Sequence, residues 1–407
     1  MPFVVEINTR ETETLNKPIQ AINFFTNIKL SLKYDSVASD FQFDYLFDPN
    51  NQDSLEIAGI THFHEAIVSF QKTGSNARQK ILTGFVMNQN FVDSPTPELL
   101  SIGGYSKPGL LEKSDIPTSI PLQSDGLKLS DIIRRIASAF NLEFVIKARR
   151  AGEIVVTPSE QKTEQSRADG EIPKTTSKTS ENAAAYLKTL CLQKNIVLTH
   201  DESGRLVVKT ANTEGQPVLI FDADNFPGAG YEKMSLNCSG QELFKTFTVV
   251  RQADDEGGNE SMATLNNPLS PVAAVPSYKV EVQTLGNDVT VVEATQNALS
   301  KSLKAIVLTV EILTETASVE LILPDNTIYV RNKKLNLFKM TKFFIEKVDI
   351  EQDAQRTKQT LTCVLPWVYN YYSKGVGKNT GGPYNVFIEP LQNLDRKSTR
   401  LNSSHDQ

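Results

Sequence analysis

The chain has 407 residues, 39% of them hydrophobic and 22% charged, with a formal net charge of −6. That is apolar material for two to four ordinary domains, and the mildly acidic balance excludes the broad basic footprint of a protein that holds nucleic acid through surface charge. Cys191, Cys238 and Cys363 are widely spaced with no C-x-x-C, so neither a disulfide framework nor a zinc ribbon is expected. The opening MPFVVEINTR carries Glu6 inside its apolar run and no basic leader, and no stretch approaches the roughly 18 apolar residues of a membrane span. A soluble, non-secreted product of a reducing compartment is expected.

The first part of the chain reads as short strands. In FQFDYLFDPNN, Phe41, Phe43, Tyr45 and Phe47 fall at period two before a turn, which predicts a half-buried strand. FVVEI, AIVSF and ILTGFVM repeat that style, and a small antiparallel barrel or sandwich packs such strands. GGYSKPGLLEKSDIPTSIP comes next, Gly103 to Pro121, with more turn formers than one short segment needs. Gly104, Tyr105, Pro108, Gly109 and Pro117 are expected to form a joint between the first domain and the second, because Pro restricts φ and Gly permits turns closed to other residues.

At LKLSDIIRRIASAFNLEFVI the period becomes helical: Leu129, Ile132, Ile133, Ile136 and Phe140 share a face, with Ser130 or Asp131 as the N-cap. The apolar run Leu142 to Ile146, Gly152 and the strand EIVVT complete a helix-strand-strand unit. SENAAAYLKTLCLQKNIVLTHDESGRLVVKT repeats it, setting Leu187, Leu190, Asn195, Ile196 and Leu198 about 54 residues after Ile133, Ile136, Asn141, Leu142 and Phe144, with Gly204 answering Gly152. The polar stretch Pro158 to Ser180 predicts a disordered-looking loop, and Arg251 to Ser277 a second long loop. A helix around Thr295 to Ile306 then leads into LTVEILT, SVELILPD, TIYVRN, FFIEKVDI and TLTCVLPWVYN, strands enough for a second barrel. The closing RKSTRLNSSHDQ, with His405, resembles translated adaptor sequence and is set apart from the fold.

Chemical motifs are incomplete at every candidate position. THFHEAIV offers His62, His64 and Glu65, but a zincin helix needs a histidine where Val68 stands, and a zinc site would have to recruit His200 or a carboxylate from a distant segment. FDADNFPGAGYEK places Asp222 and Asp224 like the start of a calcium loop, yet Phe226, Pro227 and Lys233 occupy ligand or turn positions, so a plain turn is expected. GVGKNTGG, Gly375 to Gly382, lacks the spacing of a phosphate loop and reads as a linker. The acids Asp254 to Glu256 sit in a polar loop, where a raised carboxyl pKa is hard to obtain. No catalytic, cofactor-binding or metal-binding residue is assigned, and no enzyme is expected.

The order of these elements resembles the baseplate hub proteins of Mu-like contractile-tailed bacteriophages, a family related to the hubs of other contractile injection systems. The resemblance is carried by G-Y-S-K-P-G-L-L-E-K-S-D-I-P, by the L-x-L-S-D-I-I-R-R-I-A-S-A-F-N-L unit and its echo, and by the Pro366-Trp367 stop, and it covers about residues 1–370. It implies an α+β, mainly β protein in which two small antiparallel β-barrels flank the duplicated module. The implied domains are 1–122, 123–215 with copies at about 127–157 and 180–210 around a loop at 158–179, 216–290 with a loop at 251–277, and 291–370, before a tail at 371–407.

The resemblance also implies a function. It is that of a homotrimer joining the hexameric tail tube to the trimeric central spike, with tape-measure and baseplate wedge proteins as further partners. No membrane and no sequence-specific nucleic acid are expected as partners. Such a protein is assembled in the host cytoplasm and resides in the virion. A tailocin or type VI-like hub and a tail-associated cell-wall hydrolase are the alternatives.

Overall fold

The computed structural model describes residues 3–8, 20–22, 25–52, 55, 64–71, 78–93, 99–121, 123–146, 170–172, 182–194, 196–226, 230–241, 244–251, 262–267, 277–283, 291–314, 321–353 and 355–370. The second strand of the first repeat (153–157), most of the loop at 158–179, His62, Asn195, Pro227 and the tail from 371 lie outside these residues.

Seven strands open the chain: β1 (Phe3–Asn8), β2 (Gln20–Ile22), β3 (Asn27–Lys33), β4 (Asp40–Leu46), β5 (Glu65–Gln71), β6 (Arg78–Val92) and β7 (Leu99–Ser106). The period-two pattern of β4 does what it predicts, burying Phe41 and Phe43 while Asp40 and Gln42 face solvent. A short 3-10 turn, Lys107–Gly109, and α1 (Leu110–Lys113) leave β7.

The middle module comprises β8 (Leu127–Lys128), α2 (Leu129–Ala139), β9 (Phe144–Ile146), β10 (Glu171–Ile172), α3 (Ala183–Gln193), β11 (Val197–His200) and β12 (Leu206–Lys209). Helix α2 starts at Leu129 after Lys128 and has no side-chain cap, where Ser130 or Asp131 was expected to serve. Asp131 instead lies in the first turn, favoured there by the helix dipole, and takes a 2.8 Å hydrogen bond from Arg134. Helix α3 does have a cap, Asn182, whose side chain accepts from the Ala185 N–H at 2.7 Å. The repeat-related pairs Ile133 and Leu187, Ile136 and Leu190, and Leu142 and Ile196 are all buried in one core, and β12 joins β11 on one edge and β9 on the other.

The remaining strands are β13 (Pro217–Asp222), β14 (Lys233–Cys238), β15 (Thr246–Arg251), β16 (Met262–Asn266), β17 (Tyr278–Gln283), β18 (Ile306–Leu313), β19 (Thr327–Asn332), β20 (Leu337–Gln352) and β21 (Thr357–Val364), with α4 (Val291–Ser302) and α5 (Trp367–Asn370). Two expectations change here. Part of the stretch expected as one loop, Arg251 to Ser277, is strand β16, which turns Ala263 and Leu265 onto the small core that α4 makes with β15. Conversely, Leu321–Leu323 of SVELILPD is irregular, because the Ile322 N–H is taken by the Gln359 side chain at 2.9 Å rather than by a ladder.

The main sheet has thirteen strands in the order β14-β18-β21-β20-β3-β4-β7-β6-β5-β1-β2, with β19 on β20 and β13 on β19. The chain is thus mainly β with α+β character. The two strand-rich ends were expected as separate barrels, but no closed barrel is present among the described strands. The outer edge of β3 is satisfied by β20, which removes an open edge without closing either end on itself.

Within this sheet the two ends share one strand order. The amino-terminal unit runs β3-β4-β7-β6-β5-β1 and the carboxy-terminal unit β14-β18-β21-β20-β19-β13, so strands 1, 3, 4, 5, 6 and 7 correspond in sequence order to 13, 14, 18, 19, 20 and 21. Each unit has one long strand, of 15 residues in β6 and 16 in β20, and each long strand bulges at the same point of its hairpin, between Val86 and Asn88 and between Ile345 and Lys347. One pairing differs: β1 is antiparallel to β5, whereas β13 is parallel to β19.

Candidate functional site

The candidate site is the place where the units of the chain meet. Strand β3 pairs antiparallel with β20 from Lys33 opposite Lys347 to Ile28 opposite Gln352. Alternation places Ile28, Leu30 and Leu32 on the same face as Val348 and Ile350, all buried, so one hydrophobic core runs through both units. Each such side chain contributes about 2 kcal/mol by its burial.

Just beyond the end of β3, Tyr34 stands edge-on to Phe344 and to Tyr369, with ring centroids 5.0 and 5.3 Å away. Lys304, in the turn after α4, reaches both Asp35 and Glu346, and the Tyr369 hydroxyl donates to Glu346. Burial works against the charge on Lys304, but Glu346 and Asp35 outweigh it and hold its pKa above the ordinary lysine value. The Tyr369 phenol is pushed well up, first by burial and then by the same two carboxylates. This cluster joins the amino-terminal unit, α4 and the carboxy-terminal helix at one point.

The middle module docks beside it through the β11–β12 hairpin. The Thr199 hydroxyl donates to the Ser36 carbonyl at 3.2 Å, and the Thr83 hydroxyl to the Glu202 carbonyl at 2.8 Å. His200 bridges Ser39 and the Asp201 carbonyl, a contact that superficially resembles a nucleophile with its base. Burial holds the His200 pKa below its usual value and favours the neutral ring; a carbonyl oxygen only accepts, which assigns the proton to Nδ1, 3.1 Å from it, and leaves Nε2 to accept from the Ser39 hydroxyl at 2.7 Å. Ser39 is fully buried and its oxygen also accepts the Lys33 N–H at 3.0 Å. The Asp201 carboxylate binds the Ser203 and Arg205 N–H groups and the Arg205 guanidinium, not the imidazole. The arrangement pins the hairpin to the sheet and presents no exposed nucleophile.

The expected joint residues are divided by the structure. Gly104 and Tyr105 belong to β7, Pro108 and Gly109 to the 3-10 turn, and Pro117 to the irregular segment before β8. Gly104 is there for space: a Cβ on it would collide with the Phe85 carbonyl and with the Phe41 ring. Downstream, Glu112 of α1 accepts from Ser36 at 2.8 Å and from Lys188 of α3 at 3.0 Å, tying sheet, turn and helix together. Burial raises the Glu112 pKa, and Lys188 and Ser36 more than reverse that, leaving it below the ordinary glutamate value. A depressed carboxyl stabilises the fold above its unfolded pKa of about 4.5, and that gain is lost as pH falls through the lower folded value. Glu112→Gln is therefore expected to cost about 1 kcal/mol at pH 7 in urea unfolding, with the deficit fading as pH falls below the ordinary glutamate value of about 4.5.

The remaining candidates are engaged by other residues of the fold. Asp222 accepts from the Arg331 guanidinium, which holds its pKa down, and from Asn225, while Asp224 takes the Lys333 N–H at 3.0 Å; the segment is a turn. His64 ends its segment at the start of β5, its carbonyl accepting the Val86 N–H at 2.9 Å. Among the described residues no group of three or more His, Cys, Asp or Glu is placed to hold a metal ion, and no helix is long and apolar enough to cross a membrane. Sequence reasoning missed Tyr34, Asp35, Lys304 and Glu346. Their only local signal is a set of charges flanking apolar runs, and Asp35 and Lys304 lie 269 residues apart.

This architecture, a wide β-sheet carrying a helix-led module beside it, is the fold of phage tail proteins, as the order of sequence elements led one to expect. The chain is similar to the 43 kDa tail protein of prophage MuSo2 from Shewanella oneidensis, at 14% identity over 90% of this chain and 99% of that one, with a TM-score of 0.65. A tail protein from Neisseria meningitidis MC58 superimposes equally well, with 14% identity, 91% and 99% coverage and a TM-score of 0.65. A prophage tail protein from Listeria monocytogenes EGD-e is similar at 10% identity, 89% and 94% coverage and a TM-score of 0.53. No protein-family model and no curated protein sequence matches the chain.

Proposed function

We propose that the chain is the structural baseplate hub of a contractile phage tail, a homotrimer that joins the hexameric tail tube to the trimeric central spike. One observation carries this reading: the two ends of the chain build units with one strand order and set them side by side in one sheet. Three chains so built supply six similar units around an axis, which meets a sixfold tube on one side while the chain count meets a threefold spike on the other. In the assembled ring each unit curls as one small barrel of a pseudo-sixfold annulus. Pro108, Gly109 and Pro117, which follow the ladder residues Gly104 and Tyr105, then act as the joint that carries the helix-led module away from the ring. Tape-measure and wedge proteins are its further partners, and the protein enters the virion from the host cytoplasm.

Purified protein is expected to weigh three times the 45.1 kDa chain in mass photometry. A stable monomer, even with tube and spike proteins added, would overturn the reading. Clearing of peptidoglycan in a zymogram would favour the hydrolase alternative instead.

A further inference from the structure

The β3–β20 junction inside the chain predicts how one chain meets the next. The proposal rests on the ring reading and adds the surface and the register.

Each unit has an edge strand, β3 or β14, and a long strand, β6 or β20. Inside the chain the edge strand of the first unit lies on the long strand of the second, along the part beyond the bulge, Lys347–Gln352. The equivalent pair, β14 with the part of β6 beyond its bulge, is not formed among the described strands. Among the described strands β14 pairs with β18 alone, and β6 beyond Val86 pairs with β7 alone.

We propose that β14 of one chain lies antiparallel on residues Asn88–Asp93 of a second copy, repeating the internal junction between subunits. The ladders fix the register. Phe344 corresponds to Phe85, each being the residue of the long strand opposite the first residue of its neighbour, Thr327 or Glu65. Following the paired residues Val364, Val307 and Asn237 in one unit, and Tyr105, Asp40 and Ser31 in the other, makes Asn237 the equivalent of Ser31. Ser31 faces Asp349, whose equivalent is Asn90. Asn237 therefore faces Asn90, Leu236 faces Phe91 and Cys238 faces Gln89.

The side chains support this register independently. Leu30 and Ile350, the internal pair, are 2% and 1% exposed. Their counterparts are Leu236, half-buried, and Phe91, which is 53% exposed although it sits opposite the fully buried Leu100 on the core side of β7. A second copy completes the core at Phe91 as β3 completes it at Ile350. Edge β14, whose one charged residue is Lys233 at its start, also carries no proline and no bulge, two of the devices by which a monomeric protein blunts an open edge.

The test uses the full chain with Gln89→Cys. Cys238 is exposed while Cys191 and Cys363 are buried, so mild oxidation is expected to link Cys238 to the new thiol of the next copy and give covalent multimers on a non-reducing gel. Cys238→Ser is expected to abolish the ladder, and Asn88→Cys, on the other face, to give none. A companion variant, Phe91→Asp with Leu236→Asp, is expected to lower the measured mass to that of one chain while its circular dichroism spectrum stays unchanged. An oligomer that forms normally but neither cross-links nor responds to the double substitution overturns this junction and leaves the ring reading standing. Absence of any oligomer in the unsubstituted chain overturns both.

Discussion

Ile350→Ala is expected to lower the free energy of unfolding by about 4 kcal/mol and to destabilise both strand units together. Ile350 is buried against Leu30 across the β3–β20 boundary, in a core that includes residues from both ends of the chain. The cavity therefore opens between the units rather than inside one of them. Guanidinium unfolding followed at separate probes checks this, with Leu30→Ala and the double variant completing a cycle. A coupling of about 1 kcal/mol or more is expected, since the two side chains share one gap once either is cut back. Two separate transitions, only one of which moves on substitution, would mean that the units are independent domains.

The second large effect is expected at Gly104. Gly104→Ala drives a methyl group into the Phe85 carbonyl and the Phe41 ring, and neither can withdraw: one is backbone within a ladder, the other is packed in the core. A loss of about 3 kcal/mol is expected, near the upper end of ordinary overpacking penalties, read as a lower midpoint in thermal or denaturant unfolding. Gly126→Ala is the informative contrast. A Cβ there meets nothing, so its cost comes from a backbone φ of 68° alone and is expected to stay near 1 kcal/mol.

Local physics made much of this architecture visible in advance. The alternation of Phe41 and Phe43 and the helical spacing of Ile132, Ile133 and Ile136 are properties of neighbouring residues, and burial obeys them. The echo of Ile133 and Ile136 in Leu187 and Leu190 likewise reached the same core. What failed locally was misjudged for identifiable reasons. Gly103 and Gly104 look like turn residues, yet both lie within a ladder, and at Gly104 the neighbouring strand comes too close for a side chain. MATLN is too short and too closely flanked by turn formers to announce strand β16.

The junction itself was illegible for a deeper reason. Nothing in NIKLSLK specifies that its partner is the far half of FKMTKFFIEKVDIEQ, more than 300 residues away, because a strand declares its faces but not its neighbours. The same holds for Lys304 among Asp35, Glu346 and Tyr369. Each is an ordinary residue until the fold assembles them.

A density map of the purified oligomer by electron cryomicroscopy, resolved to strands, tests the central claim most directly. The account predicts three chains in a ring in which the β3-to-β1 and β14-to-β13 units alternate at one height, each turned by about a sixth of a revolution from the last. A map with the two units of a chain stacked along the axis, or with no sixfold pseudo-repeat relating the two units around it, would contradict it.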